Sequence, residues 1–418
     1  MIGALLKGDP QAQAGFAVTK RILMLGLLTL ILMAPLETIR GLLWERQSRG
    51  YDVENEIAAQ WGRAQRIAGP YLALPYQVRI PQPNANPRIE KRILYILPET
   101  LVIDGRLATE RRHRSVYEVL VYDAMLTLTG TLPAPDPAAA AIDPADILWS
   151  EASLGLGIAD MGGVRDLAIT LDGKSLAPVP GLPQGRLFES GAHAKLPGLA
   201  PGRGPGAFTI TLAINGTRAI DILPMGRTTA LKLAGDWPHP NFIGSFLPEA
   251  RTITDQGFDG LWRVSALARN YPQAWRSDDL DFPAVEQDAF GVALVEPGDV
   301  YQQTDRIGKY GILVIALSFA TIFVFGVVRG TRTHFVQYLM VGAAIAVFYL
   351  LLLALAEQMG FGPAYLLASI AVIGLNGLYI GSTVGRAAGG AIAALLALLH
   401  GFLYVLLQAE TYSLLMGA

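Results

Sequence analysis

The amino-acid sequence predicts a multi-pass α-helical membrane protein carrying a large inserted all-β domain of antiparallel, sandwich-like type. Two observations carry this. Five long apolar runs occupy residues 22–43, 311–328, 335–355, 364–380 and 390–407. Between the first and second, residues 44–310 have ordinary soluble composition, and most of them show an apolar period of two. A bilayer core of about 30 Å is crossed by about 20 mostly apolar residues as a helix. No ordinary globular domain sets four such runs side by side.

Bulk composition partly hides this, because the insert dilutes the spans: hydrophobic residues are 52% and charged residues 16%. The net charge of -2 argues against a nucleic-acid footprint, which needs a basic face. The chain has no cysteine, so disulfides, thiol nucleophiles and thiolate metal sites are excluded.

The chain begins with a cytoplasmic segment, 1–21. Lys7, Lys20 and Arg21 precede the first run, Arg329 and Arg332 follow the second, and Arg386 precedes the fifth. The other two short flanks, 357–362 and 408–411, carry no Lys or Arg and one Glu each. Basic residues favour the cytoplasmic side. The N-terminus is therefore expected in the cytoplasm and the insert outside, which for a bacterial inner (plasma) membrane is the periplasm. The stretch Pro35-Leu36-Glu37-Thr38-Ile39-Arg40 lacks a small-x-small cleavage pattern, so run 22–43 reads as an uncleaved anchor.

Residues 44–70 are expected to form a periplasmic helix that Gly69-Pro70 ends. Val53, Ile57, Trp61 and Ala64 form one apolar stripe. The helix either docks on the following domain or is a plain linker. Residues 71–308 form the β-rich domain. Val78-Arg79-Ile80, Ile93-Leu94-Tyr95-Ile96, Tyr117–Tyr122 and Phe208–Leu212 are β-branched or aromatic runs with alternation. Asp104-Gly105, Asp172-Gly173 and Asn215-Gly216 are expected to be hairpin turns, because both central positions of a type I′ turn need positive φ. The Pro/Gly-rich stretches 133–144 and 178–206 read as surface loops.

Residues 309–418 form a bundle of four spans plus the start of a truncated further span. Gly377, Gly381, Gly385 and Gly389 recur every four residues, a spacing that permits close helix approach. Ionisable residues at membrane depth are costly, which singles out Glu357 and Glu410. They are read either as solvated helix ends or as a pair lining a transport path. Glu37 and Arg40 are placed to pair at i, i+3.

No catalytic constellation is found. His113, His193, His239, His334 and His400 form no metal-binding spacing, and phosphate, dinucleotide and nucleophile-elbow motifs are missing. Trp237-Pro238-His239-Pro240-Asn241-Phe242 reads as a packed aromatic turn. The expected protein is no enzyme, with no cofactor, no metal and no catalytic residue. Its partners are the lipid bilayer and an envelope protein or ligand.

A series of short motifs spread along the chain resembles one family. They include Trp44-Glu45-Arg46, Glu56-Ile57, Trp61-Gly62 and Gly69-Pro70-Tyr71-Leu72. Leu97-Pro98-Glu99, Arg112-His113-Arg114-Ser115-Val116-Tyr117-Glu118-Val119 and Trp149-Ser150 follow. Further on come Trp237-Pro238-His239-Pro240-Asn241-Phe242-Ile243-Gly244, Phe246-Leu247-Pro248, Gly257-Phe258 and Tyr271-Pro272-Gln273. Phe290-Gly291-Val292, Lys309-Tyr310 and Gln337-Tyr338-Leu339-Met340-Val341-Gly342 complete the order. In this order they resemble the CreD family of bacterial inner-membrane proteins, also described as cell-envelope integrity or colicin-tolerance proteins. The resemblance implies a role in envelope stress and assigns no catalytic residue. The chain departs from the family in Ser115, where glycine is usual. It also ends at Ala418, where family members continue through one more span. A truncated gene model or shortened product is expected, with a natural five-span form as the alternative. The functional expectation is a non-enzymatic envelope-integrity protein whose β domain binds an envelope component. A transporter or channel with Glu357 and Glu410 lining its path is the alternative.

Overall fold

The computed structural model describes residues 10–417 except 83–84, 115–116, 184–187, 197, 201, 203, 205, 281, 297–303, 305–307 and 331–333. Side chains are described for the same residues apart from 10–18, 21, 85, 282, 329 and 407–417. The chain divides into a helical unit, residues 1–51 with Pro297–Gly417, and a β unit, Asp52–Glu296.

The helical unit contains most of α1 (Pro10–Trp61), then α3 (Gly311–Arg329), α4 (Phe335–Met359), α5 (Phe361–Thr383) and α6 (Arg386–Gly417). Among the described residues, five helices are long and apolar enough to cross a membrane. On α1, Leu25, Leu28, Leu32, Leu36, Ile39 and Leu43 are buried at helical spacing and share a core with Phe319, Ile345, Phe348 and Leu352. The opposite face leaves Leu23, Leu27, Leu30 and Ile31 exposed, as lipid contact requires. Pro35 sits inside α1, which a membrane helix tolerates when neighbours re-satisfy the backbone. The glycine ladder is split by the break between α5 and α6. A Cβ on Gly389 would meet the Gly377 carbonyl oxygen at 2.4 Å and Gly381 Cα at 2.6 Å. The ladder is thus a close crossing of two helices.

The β unit has two sheets. The strands are β1 (Gln65–Gln82), β2 (Ala85–Ile96), β3 (Thr100–Arg114), β4 (Tyr117–Thr131), β5 (Ser153–Ile158), β6 (Val164–Leu171), β7 (Lys174–Leu176), β8 (Val179–Pro180), β9 (Gly191–Lys195), β10 (Ala207–Thr217) and β11 (Ala219–Ile222). There follow β12 (Thr228–Gly235), β13 (Pro240–Gly244), β14 (Ala250–Thr254), β15 (Gly257–Ser265), β16 (Ala274–Arg276), a short helix α2 (Phe282–Glu286) and β17 (Phe290–Leu294). The first sheet runs β13-β17-β11-β1-β5-β9-β8, with β2 also on β1 and β16 on β2. The second runs β14-β15-β12-β3-β4-β10-β6-β7. Pairing is antiparallel except at β1–β11 and β3–β12.

Alternation explains the core. Leu101, Ile103 and Leu107 of β3 point inward, as do Phe208, Ile210 and Leu212 of β10 and Leu231 and Leu233 of β12. They meet Leu72, Leu74 and Leu94 of the first sheet in one apolar cluster. Each such side chain contributes about 1.5–3 kcal/mol by leaving water.

Four sequence expectations need correction. The helix expected to run to Pro70 ends at Trp61, and β1 begins at Gln65 and passes through Gly69-Pro70. Its last turns dock: Val53, Ile57 and Trp61 pack on Val119 and Val121. The Arg112 guanidinium stacks 3.6 Å from the Trp61 ring centre, and Glu56 pairs with Arg114 at 2.6 Å. Of the three expected hairpins only Asp172-Gly173 is one, with φ of 48° and 75° between β6 and β7. Gly105 lies mid-strand opposite Leu126, and Gly216 lies opposite Tyr122. A Cβ on Gly105 would strike Leu126 Cδ2 and Leu233 Cδ1 at 2.7 Å, and one on Gly216 the Tyr122 hydroxyl at 2.3 Å. These glycines make room inside the sandwich. Finally, the stretch 178–206 contains β9, which pairs with β5.

Trp237 and His239 pack edge to face at 6.0 Å, and Trp237 Nε1 donates to the Val295 carbonyl at 2.9 Å. The expected turn is only partly one, since Pro240-Asn241-Phe242 lie in β13.

Two outcomes follow. Asn tolerates the left-handed region, so Gly173→Asn should change stability by less than about 0.5 kcal/mol. Gly105→Asn buries an amide in a filled space and should cost more than about 3 kcal/mol; denaturation followed by tryptophan fluorescence checks both. In the helical unit, Gly389→Leu should lower the thermal midpoint in detergent. Gly390→Leu, with nothing within 4 Å of its Cβ position, should leave it unchanged.

Candidate functional site

In the helical unit Glu357 closes the last turn of α4 and accepts two hydrogen bonds from Arg46 Nη1 of α1, at 3.0 and 3.1 Å. The residues are 311 positions apart. This pair ties the far end of α4 to the outgoing end of α1, and it gives the carboxylate a counter-charge. Glu37 and Arg40 pair at i, i+3 with 2.8 Å between Oε1 and Nη1. Both groups are exposed on one face of α1, as an i, i+3 pair allows. The side chain of Glu410, on α6, lies outside the described residues, and so does any pairing of Glu357 with Glu410 across a mouth.

The buried polar groups of the bundle are other residues. His400 Nδ1 lies 2.9 Å from the Leu396 carbonyl, and the His400 carbonyl accepts the Tyr365 hydroxyl at 2.7 Å. Asn376 Nδ2 donates to the Val372 carbonyl at 3.0 Å. Each of these links uses a backbone carbonyl, so the side chains lock helices internally or to one another. Phe348 stands edge to face over the His400 ring at 4.7 Å.

In the β unit an open cleft of about 230 Å³ is lined by Arg66, Asp221, Glu286, Phe188, Glu189 and Ser190 among others. Its geometry follows from the parallel pairing that sets Arg66 of β1 opposite Asp221 of β11. Arg66 Nε and Nη2 reach the two carboxylate oxygens of Asp221 at 2.6 and 2.9 Å. Arg66 Nη1 also donates to Glu286. A fork of this kind is the strong form of ion pair. Below it Gln65 is buried and donates to the carbonyls of Asp160 and Asn215, while the Asp160 amide donates back to Gln65 Oε1 at 3.2 Å. Asp160 Oδ2 accepts the Arg63 amide at 2.8 Å. Ser190 Oγ donates to the Ala159 carbonyl at 2.9 Å.

Arg66 has committed its donors to two carboxylates, which leaves the cleft with a surplus of negative charge from Glu286 and Glu189. Among the described residues no group of three or more His, Asp or Glu could hold a metal ion. Nothing in residue spacing points to Arg66, Asp221 and Glu286, because only the strand register brings them together.

Burial sets the proton affinities of the aromatic hydroxyls nearby. Tyr122 and Tyr71 are pushed well above the usual phenol range, Tyr71 with a smaller push from Tyr95. Tyr122 donates to the Ala219 carbonyl at 2.7 Å and stays a neutral structural donor.

Comparison with known proteins fits this architecture. A family model described as inner membrane protein CreD matches residues 17–418. The inner membrane protein CreD of Escherichia coli (strain K12) is 32% identical over 404 residues, covering 93% of this chain and 86% of the relative. Among solved structures, an M1 zinc metallopeptidase from Deinococcus radiodurans overlaps with a TM-score of 0.23 at 14% identity, covering 41% of this chain and 39% of that one. A two-domain M1 zinc metallopeptidase gives 0.23 at 11% identity, covering 72% and 95%. Overlaps at that level carry no argument. The chain belongs to the CreD family of inner membrane proteins.

Proposed function

We propose that this protein is a non-enzymatic envelope-integrity protein of the bacterial inner membrane, whose periplasmic β unit binds an envelope component. The observation that carries the reading is the self-contained β unit Asp52–Glu296, set in the sequence between membrane-crossing helices. It has its own core and an open cleft whose charges suit recognition. The basic residues at 7, 20, 21, 329, 332 and 386 support a cytoplasmic N-terminus. The Arg46–Glu357 contact puts the end of the first apolar run and the end of α4 at one end of the helical unit, as spans that alternate in direction require. The same contact favours a structural role for Glu357 over a place on a transport path.

Deleting the gene should raise sensitivity to detergent and β-lactam, measured as the minimal inhibitory concentration; unchanged sensitivity would count against the role. Orientation is checked separately, because the chain has no cysteine of its own. Leu267→Cys, on a side chain 97% exposed, should react with a membrane-impermeant maleimide in cells with a permeabilised outer membrane. Ser382→Cys, at the end of α5, should react only after the inner membrane is opened.

A further inference from the structure

A second cleft, of about 390 Å³, opens on the first sheet of the β unit. The register explains what lines it. Lys91 pairs with Gln77, Ile93 with Pro75 and Tyr95 with Ala73 between β2 and β1. Ala73 pairs with Ser153 of β5, and Ser153 with Lys195 of β9. His193 pairs with Gly155, two residues along. Paired residues share a face, so Lys91, Ile93, Pro75, Ser153, His193 and Lys195 rise from one side of the sheet. On the central strands Ala73 brings only a methyl group, and the space above Gly155 is taken by the Tyr71 ring, which a Cβ there would meet at 2.5 Å.

Two features of this cleft are unmet. Ser153 is 2% exposed, and its hydroxyl has no hydrogen-bond partner. A buried hydroxyl left without a partner costs about 1–3 kcal/mol. Lys195, directly opposite it, is exposed and makes no ion pair among the described residues. The other charges cancel: Lys91 is paired with Glu151 at 2.7 Å and Arg92 with Asp278 at 2.5 Å. The His193 ring is held by its Nδ1, 2.7 Å from the Gly181 carbonyl. One positive charge and one unsatisfied hydroxyl therefore stand side by side. Opposed Cβ atoms lie about 4.5–5.5 Å apart, so a single anionic group can reach both. Pro75, Ile93 and Pro183 add an apolar wall. The volume falls in the range of small-molecule sites, about 300–1,000 Å³, which is too roomy for a bare inorganic ion.

We propose that this cleft binds a small organic anion, with its carboxylate or phosphate held by Lys195 and Ser153 and its apolar body laid on Pro75 and Ile93. The site deepens the reading of the β unit as a binding module and rests on that reading for its biological meaning. The binding itself is measured without cells. The full chain in a non-ionic detergent is titrated with benzoate, phenyl phosphate and the neutral isostere benzamide, followed by saturation-transfer NMR and calorimetry. Benzoate or phenyl phosphate should bind at least about tenfold more tightly than benzamide, the size of one charge-assisted hydrogen bond. The tighter of the two anions identifies a carboxylate or a phosphate ligand. Lys195→Gln should weaken the anion about tenfold, while Lys232→Gln, an exposed lysine of the other sheet, should not. Ser153→Ala should weaken it several-fold and yet raise the thermal midpoint of the free protein, an opposition that a purely structural serine would not produce. Benzamide binding as well as benzoate, an unchanged affinity in Lys195→Gln, or no binding of either anion would overturn the site. If the site fails while deletion still sensitises cells, the broader role stands without it.

Discussion

Strand β1 has to satisfy two constraints together. Its backbone is paired along both edges, with β11 and then β2 on one side and β5 on the other, and from Ile67 to Tyr76 it is buried on both faces. A strand in that position cannot show the clean alternation of a half-solvated strand, because both faces need apolar cover. One face is covered by the second sheet through Leu72 and Leu74. The other is covered by rings: Tyr71 packs on Tyr95 and Phe188, and Tyr95 on Trp275. The two clefts described above lie where this cover stops. The acidic one sits at Arg66, before the aromatic patch, and the basic one at Pro75, after it. The positions of two clefts of opposite charge are thus set by how far one strand stays fully enclosed.

How much of this could be read beforehand depended on whether the signal was local. The five apolar runs and the alternating strands follow from local period, and the structure has helices and strands there. The Asx-Gly pairs failed for a physical reason. Glycine answers two needs, positive φ and the absence of a Cβ, and the sequence does not say which. At Gly173 the backbone needed the former; at Gly105 and Gly216 neighbouring side chains needed the latter. Strand β9, Gly191-Ala192-His193-Ala194-Lys195, carries no β-branched or aromatic residue and is held by register alone. The helix end at Trp61 was hidden because Gly69-Pro70 looked the stronger stop.

The candidate sites divide in the same way. The Glu37–Arg40 pair was legible because i, i+3 on a helix is a local relation. Arg46 with Glu357, Arg66 with Asp221, and Lys195 with Ser153 are all made by tertiary structure, across separations that no spacing rule reaches. The buried His400 and Asn376 illustrate the point inside the bundle. They look functional in a list of polar residues in apolar runs, yet each is bonded to a carbonyl one turn back on its own helix.

The fate of three Asx-Gly steps of the β unit, Asp104-Gly105, Asp172-Gly173 and Asn215-Gly216, also bears on how this protein ages. Deamidation and aspartate isomerisation at such steps begin when the following backbone nitrogen attacks the side-chain carbonyl, which requires the backbone to swing away from an extended conformation. Asp104-Gly105 is held extended inside β3, and Asn215-Gly216 near the end of β10, where it is still paired with β4. Their ring closure must wait for the sheet to open, so the two steps that look most perishable inherit the lifetime of the fold. Asp172-Gly173 bends at the tip of a hairpin, and its carboxylate is restrained by the amides of Ala207 at 2.9 Å and Gly206 at 3.2 Å. Of these three steps only Asp172-Gly173 lies outside a paired strand, and there two amide hydrogen bonds to the carboxylate, rather than the sheet, are what ring closure must break.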